Sequence, residues 1–513
     1  MNKFFANKAL LIQAAKLSLI LALLGLPFAL SVAKPKRDAQ APAAPSAPAP
    51  QAVAPAALPP SLAELPPPPP EKKEKKKNKK SKGEAPEPAN QLTREAGRKL
   101  LHYSFEVPPG LKSAVDFWKL VYSKYDRRHE VFHDTKNLRV IYSVLDFSDI
   151  YDSAALSPAM RRALRKERIQ GEKDRIRAIL AKLAAGDYTP GQLTPEERRI
   201  YDLFLDDPDP DKFVSAQEEG RIRSQTGIQD KFTAGLEASG QYLEEIEDIF
   251  TSHGVPAEIT RLVFVESMFN MKARSKVGAS GIWQFMPTTG RLYLGIDSIS
   301  DERNDPIMAS HAAARLLRDN YEALGSWPLA INAYNSGRAT LQRAVNVLGT
   351  DDIATIILNY SGGVYGFASR NFYPCFLAAL ELANHHPKYF GKLKIQPRLQ
   401  YEYYYPRSAQ FFGQLVAAAG AGWDEIVHLN PHFSDAVLSD ARKIPAGYHL
   451  RVPRGSQERF AQAEATILNG GVSPTAIAAT EADRARSDLA PSRGDSGPEE
   501  SDLISPSNAL DHP

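Results

Sequence analysis

Glu266 follows Ile259, Leu262 and Val263 at the i, i+3, i+4 and i+7 spacing of one helix face. Gly254 suits the end of a preceding helix and Pro256 has the fixed φ of a first helical position, so the sequence predicts a helix from Pro256. A carboxylate at the end of an apolar stripe is poorly solvated, and burial disfavours its charged form. Its pKa should rise from about 4.3 toward neutrality, the condition a general acid needs. The competing reading is a Glu whose head turns to water from a helix end. Beyond Asn270 comes a loop of small and polar residues, Ser275, Gly278, Ser280 and Gly281, then Trp283, Gln284, Met286 and Pro287. Backbone donors, hydroxyls, an amide and an indole beside a carboxylate are the inventory of a sugar-binding cleft.

A second constellation, His129-Glu130-Val131-Phe132-His133, spells the zinc-peptidase signature HExxH. That motif works only on a helix, where the two histidines lie one turn apart and the Glu acts as base. Val131 and Phe132 favour extended backbone, Asp134 to Asn137 reads as a turn, and Leu138 to Leu145 is rich in strand formers. On a strand each residue advances about 3.3 Å, which separates the two histidines too far for one tetrahedral zinc. No third ligand stands out, so the expectation is a hairpin and no metal.

Three ordered blocks carry a resemblance. They are Glu266-Ser267, then Gly281-Ile282-Trp283-Gln284 with Met286-Pro287-Thr288, then Ala333-Tyr334-Asn335-Ser336-Gly337. In this order they resemble the lytic transglycosylases with a soluble-transglycosylase-type (SLT), lysozyme-like domain. The resemblance implies a mainly α fold: a lysozyme-like transglycosylase domain, an α+β N-terminal accessory region and a small LysM-like α/β module. It implies Glu266 as the catalytic residue, with Ser267, Ser275, Gln284, Met286, Tyr334 and Asn335 orienting the acid or binding sugar. The chain departs from the family in Arg370-Asn371-Phe372-Tyr373-Pro374, where Phe372 holds the position of the usual cleft tyrosine. Tyr373 is a substrate-binding candidate, but a one-residue offset turns a helical side chain by about 100°.

The implied substrate is the glycan strand of peptidoglycan, cut at the MurNAc-GlcNAc β-1,4 bond. An ordinary glycosidase needs two carboxyl groups flanking the bond. Here only Glu266 is well placed in the core motifs, while Asp297, Asp301 and Asp305 fall in or beside a loop. One acid suits intramolecular chemistry, since effective molarity replaces a base that activates water. The resemblance implies that Glu266 protonates the glycosidic oxygen and then takes the proton of the sugar's own C6 hydroxyl, leaving a 1,6-anhydroMurNAc end. It implies no metal or cofactor. Two other readings stand beside it: a hydrolytic muramidase of the same fold, and a non-catalytic peptidoglycan-binding scaffold.

The elements that must position these residues are partly legible. Leu111 to Tyr125 has helical period, with Val115, Trp118, Val121 and Tyr122 on one face. Pro158 to Leu183 and Thr194 to Leu205 read as amphipathic helices with solvated basic faces. The stretch from Gln225 to Leu243 resembles the entry to the family's catalytic domain. Asp305 and Pro306 form an N-cap and first turn for a helix to about Leu324, and Trp327-Pro328 starts another that Gly337 ends. His311 is expected to be packed or hydrogen-bonded, and Cys375, the sole cysteine, to fill core.

Lys3, Lys8 and Lys16 precede an apolar run from Leu17 to Val32 that ends in Ser31-Val32-Ala33, the pattern of a secretory signal, against which stands an uncleaved anchor. The expected layout is a signal peptide at 1–33, a disordered Pro/Ala/Lys-rich linker at 34–90 and an accessory region at 91–235. The transglycosylase domain follows at 236–392, the LysM-like module at 400–454 and a disordered tail at 487–513. The net charge of +3 is unevenly placed. Glu71 to Lys82 holds eight lysines against two glutamates, so the rest is slightly acidic, which argues against a nucleic-acid surface on the folded part. The module from Tyr401 to Pro453, whose Ile426 to Pro431 and Ile444 to Pro453 resemble a LysM repeat, either binds glycan or serves as a structural appendage. Together with the resemblance, the leader implies the periplasm of a Gram-negative bacterium, with peripheral association with the envelope.

Overall fold

The computed structural model describes residues 102–470. The expected leader, linker and tail lie outside them. Among the described residues no helix is long and apolar enough to cross a membrane. The fold is mainly α with a few small sheets, consistent with a lysozyme-like domain.

Helix α1 (Lys112–Ser123) buries Val115, Phe117, Trp118, Val121 and Tyr122, the stripe expected from its period plus one further aromatic. Strands β1 (His129–Asp134) and β2 (Ile141–Asp146) form the expected antiparallel hairpin, with Val131 opposite Val144. Asp134 Oδ1 accepts from the backbone N–H of Lys136 and Asn137, which closes the turn. Helix α2 (Pro158–Ala185) is capped by the Ser157 side chain and ends at Gly186 in the left-handed region. Helix α3 (Pro195–Asp202) carries a Thr194/Glu197 capping box. Strand β3 (Ile222–Thr226) returns to the other edge of β1, giving the order β2-β1-β3. Phe132, Tyr142, Ile176, Leu180, Ile200 and Phe204 form a small core between this sheet and α2 and α3.

The main core lies among α4 (Gln229–Ser239), α5 (Leu243–Ser252), α6 (Leu262–Glu266), α7 (Pro306–Leu324), α8 (Trp327–Ser336), α9 (Arg338–Leu348) and α10 (Phe367–Asn384). Asp305 caps α7 by accepting from Ile307 and Met308, and Gly337 follows the last residue of α8, both as the sequence predicts. Helix α1 belongs to this same core and packs along α10, so packing does not separate residues 111–123 from the domain expected at 236–392.

Residues beyond 400 build a separate small core. Strand β4 (Tyr401–Tyr404), α11 (Phe412–Ala418), α12 (Trp423–Leu429) and β5 (Leu450–Pro453) enclose Phe412, Leu415, Ile426, Val437, Leu450 and Val452. The strands pair antiparallel, and α13 (Gln457–Leu468) covers them with Phe460. This unit docks through Tyr448, whose hydroxyl donates to Ser300 Oγ at 2.6 Å, and through Arg451, whose Nη2 donates to Asp305 Oδ2 at 2.6 Å.

Candidate active site

The helix expected from Pro256 is shorter and tighter at its start. Pro256 is the N-cap of a 3-10 turn, Ala257–Arg261, and only Leu262–Glu266 is α-helical. The i, i+3, i+4, i+7 stripe survives this, because Ile259, Leu262 and Val263 are fully buried and Glu266 is 7% exposed. The chain then stops helical winding at Ser267, and Met268 and Phe269 take φ of 53° and 55°. Gln284 does the same at 48°. Left-handed backbone in non-glycine residues is strained, so the surrounding packing must hold it.

The loop facing Glu266 is shaped by its own polar groups. Ser267 Oγ donates to Ile282 O at 2.8 Å, and Gln284 Nε2 donates to Gly281 O at 2.8 Å and Ala273 O at 3.2 Å. Ser275 Oγ accepts from Ala279 N at 2.9 Å. Gly281 has φ 78°, and a Cβ there would meet Arg303 O at 1.7 Å, so no other residue fits. Arg303 in turn donates to Gly278 O and Phe285 O while Asp301 holds its guanidinium. The Trp283 indole donates to Ser310 Oγ at 2.8 Å, and Tyr334 donates its hydroxyl to Trp283 O at 2.9 Å. Ser267, Ser275, Gln284 and Tyr334 are therefore engaged within the protein, a role that periodicity does not reveal because their partners are backbone carbonyl and amide groups of a folded loop. Met286, half-buried, is the N-cap of the turn Pro287–Gly290. Asn335 differs: its Oδ1 is buried without a hydrogen-bond partner.

Tyr373 does not join this group. It is 1% exposed and stacks on Phe376, with burial raising its pKa and Tyr103 nearby, and it does not line the cavity beside Glu266. The 100° offset from Phe372 turns it into the core between α10 and the segment before α1. Phe372 is itself fully buried.

That cavity, about 10 Å³, is lined on one side by Glu266, Ser267 and Met268. Its other side comes from Trp118 and Tyr122 of α1 and from Gln225 and Ile228 at the end of β3. These four residues, in the stretch expected to be accessory, were not among the sequence candidates. The signal available is a polar hydroxyl at the C-terminal end of the α1 apolar stripe. Burial raises the Glu266 pKa well above the ordinary carboxyl value. Burial likewise raises Tyr122, with further contributions from Cys375 and from the Glu266 charge, and raises Tyr334, with the Glu266 charge adding to it. Cys375 is buried and free, as expected of a core filler.

The HExxH residues lie on β1, not on a helix. His129 Nδ1 pairs with Asp126 at 2.7 Å, Glu130 accepts from Arg165 and Thr226, and His133 is buried between Phe117 and Phe367, where burial lowers its pKa to about 3. Among the described residues, Asp305, His432 and His449 bring three ligand-type atoms within 4.8 Å of one another. Arg451 claims the Asp305 carboxylate there, Oδ2 at 2.6 Å, and Oδ1 caps α7. A dication would stand against a buried guanidinium, so these residues fit an ionic link between two units better than a metal centre. His311, expected to be satisfied, pairs its Nδ1 with His253 Nε2 at 3.0 Å.

Residues 247–357 match the family described as Transglycosylase SLT domain. That stretch is similar to an SLT domain. Over 107 residues it is 36% identical to membrane-bound lytic murein transglycosylase D of Escherichia coli strain K12, covering 20% of this chain and 24% of that protein. The same figures hold for the protein of that name in Escherichia coli O6:H1. A putative tributyltin chloride resistance protein of Alteromonas sp. strain M-1 is 31% identical over 107 residues, 20% of this chain and 52% of that one. The chain thus spans about a quarter of the length of the first two relatives. The SLT domain match includes Glu266, Gln284, Tyr334 and Asn335, and leaves Tyr122, Gln225 and Phe372 outside it.

Proposed function

We propose that this chain is a lytic transglycosylase that cleaves the MurNAc-GlcNAc β-1,4 bond of peptidoglycan and leaves 1,6-anhydroMurNAc ends. The observation that carries the reading is the solitude of Glu266. Of the three other carboxylates within reach by sequence, Asp297 accepts from the N–H groups of Ile299 and Ser300, Asp301 holds Arg303, and Asp305 holds Arg451 and caps α7. None of them lines the Glu266 cavity. Hydrolysis with inversion or retention calls for a second carboxyl group at about 5–9.5 Å.

Glu266, protonated because it is buried, gives its proton to the glycosidic oxygen. The N-acetyl group of the same muramoyl residue assists as positive charge develops at the anomeric carbon. The resulting Glu266 carboxylate then removes the proton of the C6 hydroxyl, which closes on the anomeric carbon. Asn335 has a buried Oδ1 without a partner, and an acceptor of that kind could take a hydrogen bond from a glycan once the loop around it yields. Gln284, Ser267 and Ser275 hold the loop, and Tyr334 and Met286 border it.

The C-terminal unit has two antiparallel strands with helices between them, which supports the LysM-like reading, and glycan binding there would hold the enzyme on its polymer. The leader and the relatives' membrane-bound designation support a periplasmic location with peripheral envelope association. Digestion of purified sacculi followed by mass spectrometry tests the reading. Products lighter by one water than the hydrolysed forms support it, and free muramic acid ends would replace it with the muramidase.

A further inference from the structure

We infer that Tyr122, on the helix preceding the SLT domain, is a positioning residue for Glu266, so that the N-terminal region completes the reaction site. The inference rests on the transglycosylase reading and deepens it.

The cavity beside Glu266 has one wall from the SLT domain and one from outside it, where Trp118, Tyr122, Gln225 and Ile228 stand. Trp118 is locked in place by donating its indole N–H to Asn371 Oδ1 at 2.8 Å, and its ring sits 5.8 Å from that of Tyr122. Trp118 and Ile228 make this wall largely apolar, which keeps water away and holds Glu266 protonated at rest. The same wall poses a difficulty in the second half of the reaction. Once Glu266 has given up its proton, an unpaired carboxylate sits in a nearly dry site, and such a charge is costly unless a dipole faces it.

Tyr122 supplies a suitable dipole. Its side chain and that of Glu266 line the same cavity, which puts the hydroxyl within reach of the carboxyl group directly or through one water. When the carboxylate forms, turning the O–H toward Glu266 gives the new charge a donor. The cavity, at about 10 Å³, is close to the room needed for one bridging water. No bond to Tyr122 breaks, and its proton stays on the phenol oxygen. Phe372, buried and without a hydroxyl, cannot do this.

Tyr122→Phe keeps the ring and removes only the dipole. With sacculi as substrate and anhydro ends counted, it should lower kcat about tenfold and leave KM within twofold. Without the donor the charged form of Glu266 is less favourable, so the alkaline limb of the pH–rate profile should move to higher pH. Cys375→Ala, a small deletion in the same core, should leave that limb in place. The inference fails if Tyr122→Phe keeps both kcat and the limb while Glu266→Gln is inactive. It fails equally if Tyr122→Phe and Cys375→Ala change the profile alike, which would mark a packing effect. An active Glu266→Gln would instead remove the transglycosylase reading itself.

Discussion

Trp118 donates its indole N–H to the amide oxygen of Asn371 at 2.8 Å, and both residues are buried. That bond ties a helix lying before the SLT match to one lying after it. Trp118→Phe leaves the Asn371 oxygen without its donor and should destabilise the protein by about 1–3 kcal/mol. Trp118→Ala adds a cavity and should cost about 3–5 kcal/mol. Urea denaturation of the two variants checks the order. Equal, small effects would mean that α1 is not part of the central core.

Much of the fold could be read locally. The Asp305-Pro306 start of α7 and the Gly337 end of α8 were visible because a cap is defined within a few residues. The β1–β2 hairpin was visible because Val131, Phe132 and Asp134 announce strand and turn directly. Glu266 was visible because its apolar stripe survives the change from α to 3-10 winding. The Tyr122 wall was not, since nothing near Tyr122 in the chain says that it will meet Glu266. Ser267, Ser275 and Gln284 are expected to orient the acid or bind sugar, and each bonds a backbone group that only the folded loop brings near.

Glu266 is buried with a raised pKa, so its ionisation opposes folding. Burial is free of this penalty below the unfolded value near 4.3, and stability is lost as pH rises through the folded value. Glu266→Gln should therefore raise Tm at pH 8, by at least ~2 °C if ~1 kcal/mol is relieved. The difference from wild type should vanish toward pH 4. Calorimetry across that range reads the result.

Asp305 joins the C-terminal unit to the SLT domain through Arg451. Burial alone would raise its pKa, but the charge of Arg451 and the bond to His432 outweigh it and hold the carboxyl well below the usual range. The stability so gained is present above the unfolded value of about 3.9 and is lost as pH falls toward the folded one. Arg451→Met strands a buried carboxylate and should cost about 3–5 kcal/mol. Adding Asp305→Asn, which keeps a cap, should recover most of it. Limited proteolysis between residues 391 and 400, faster in the single variant than in the double, is the readout.

Asn335 Oδ1 has no partner within the protein, so its removal breaks no hydrogen bond at that oxygen. Asn335→Ala should raise KM for glycan about tenfold, the worth of one hydrogen bond of roughly 1.4 kcal/mol, and leave Tm within a degree or so. A loss of Tm without a change in KM would mean that the side chain serves the fold.

The central claim is that a single buried acid is protonated before it acts. Infrared difference spectra between wild type and Glu266→Gln, recorded from pH 5 to pH 8, read that carboxyl group directly. A protonated carboxyl band present in the wild type at pH 6 and absent from the variant is the predicted result. A carboxylate band already complete at pH 5 would contradict it.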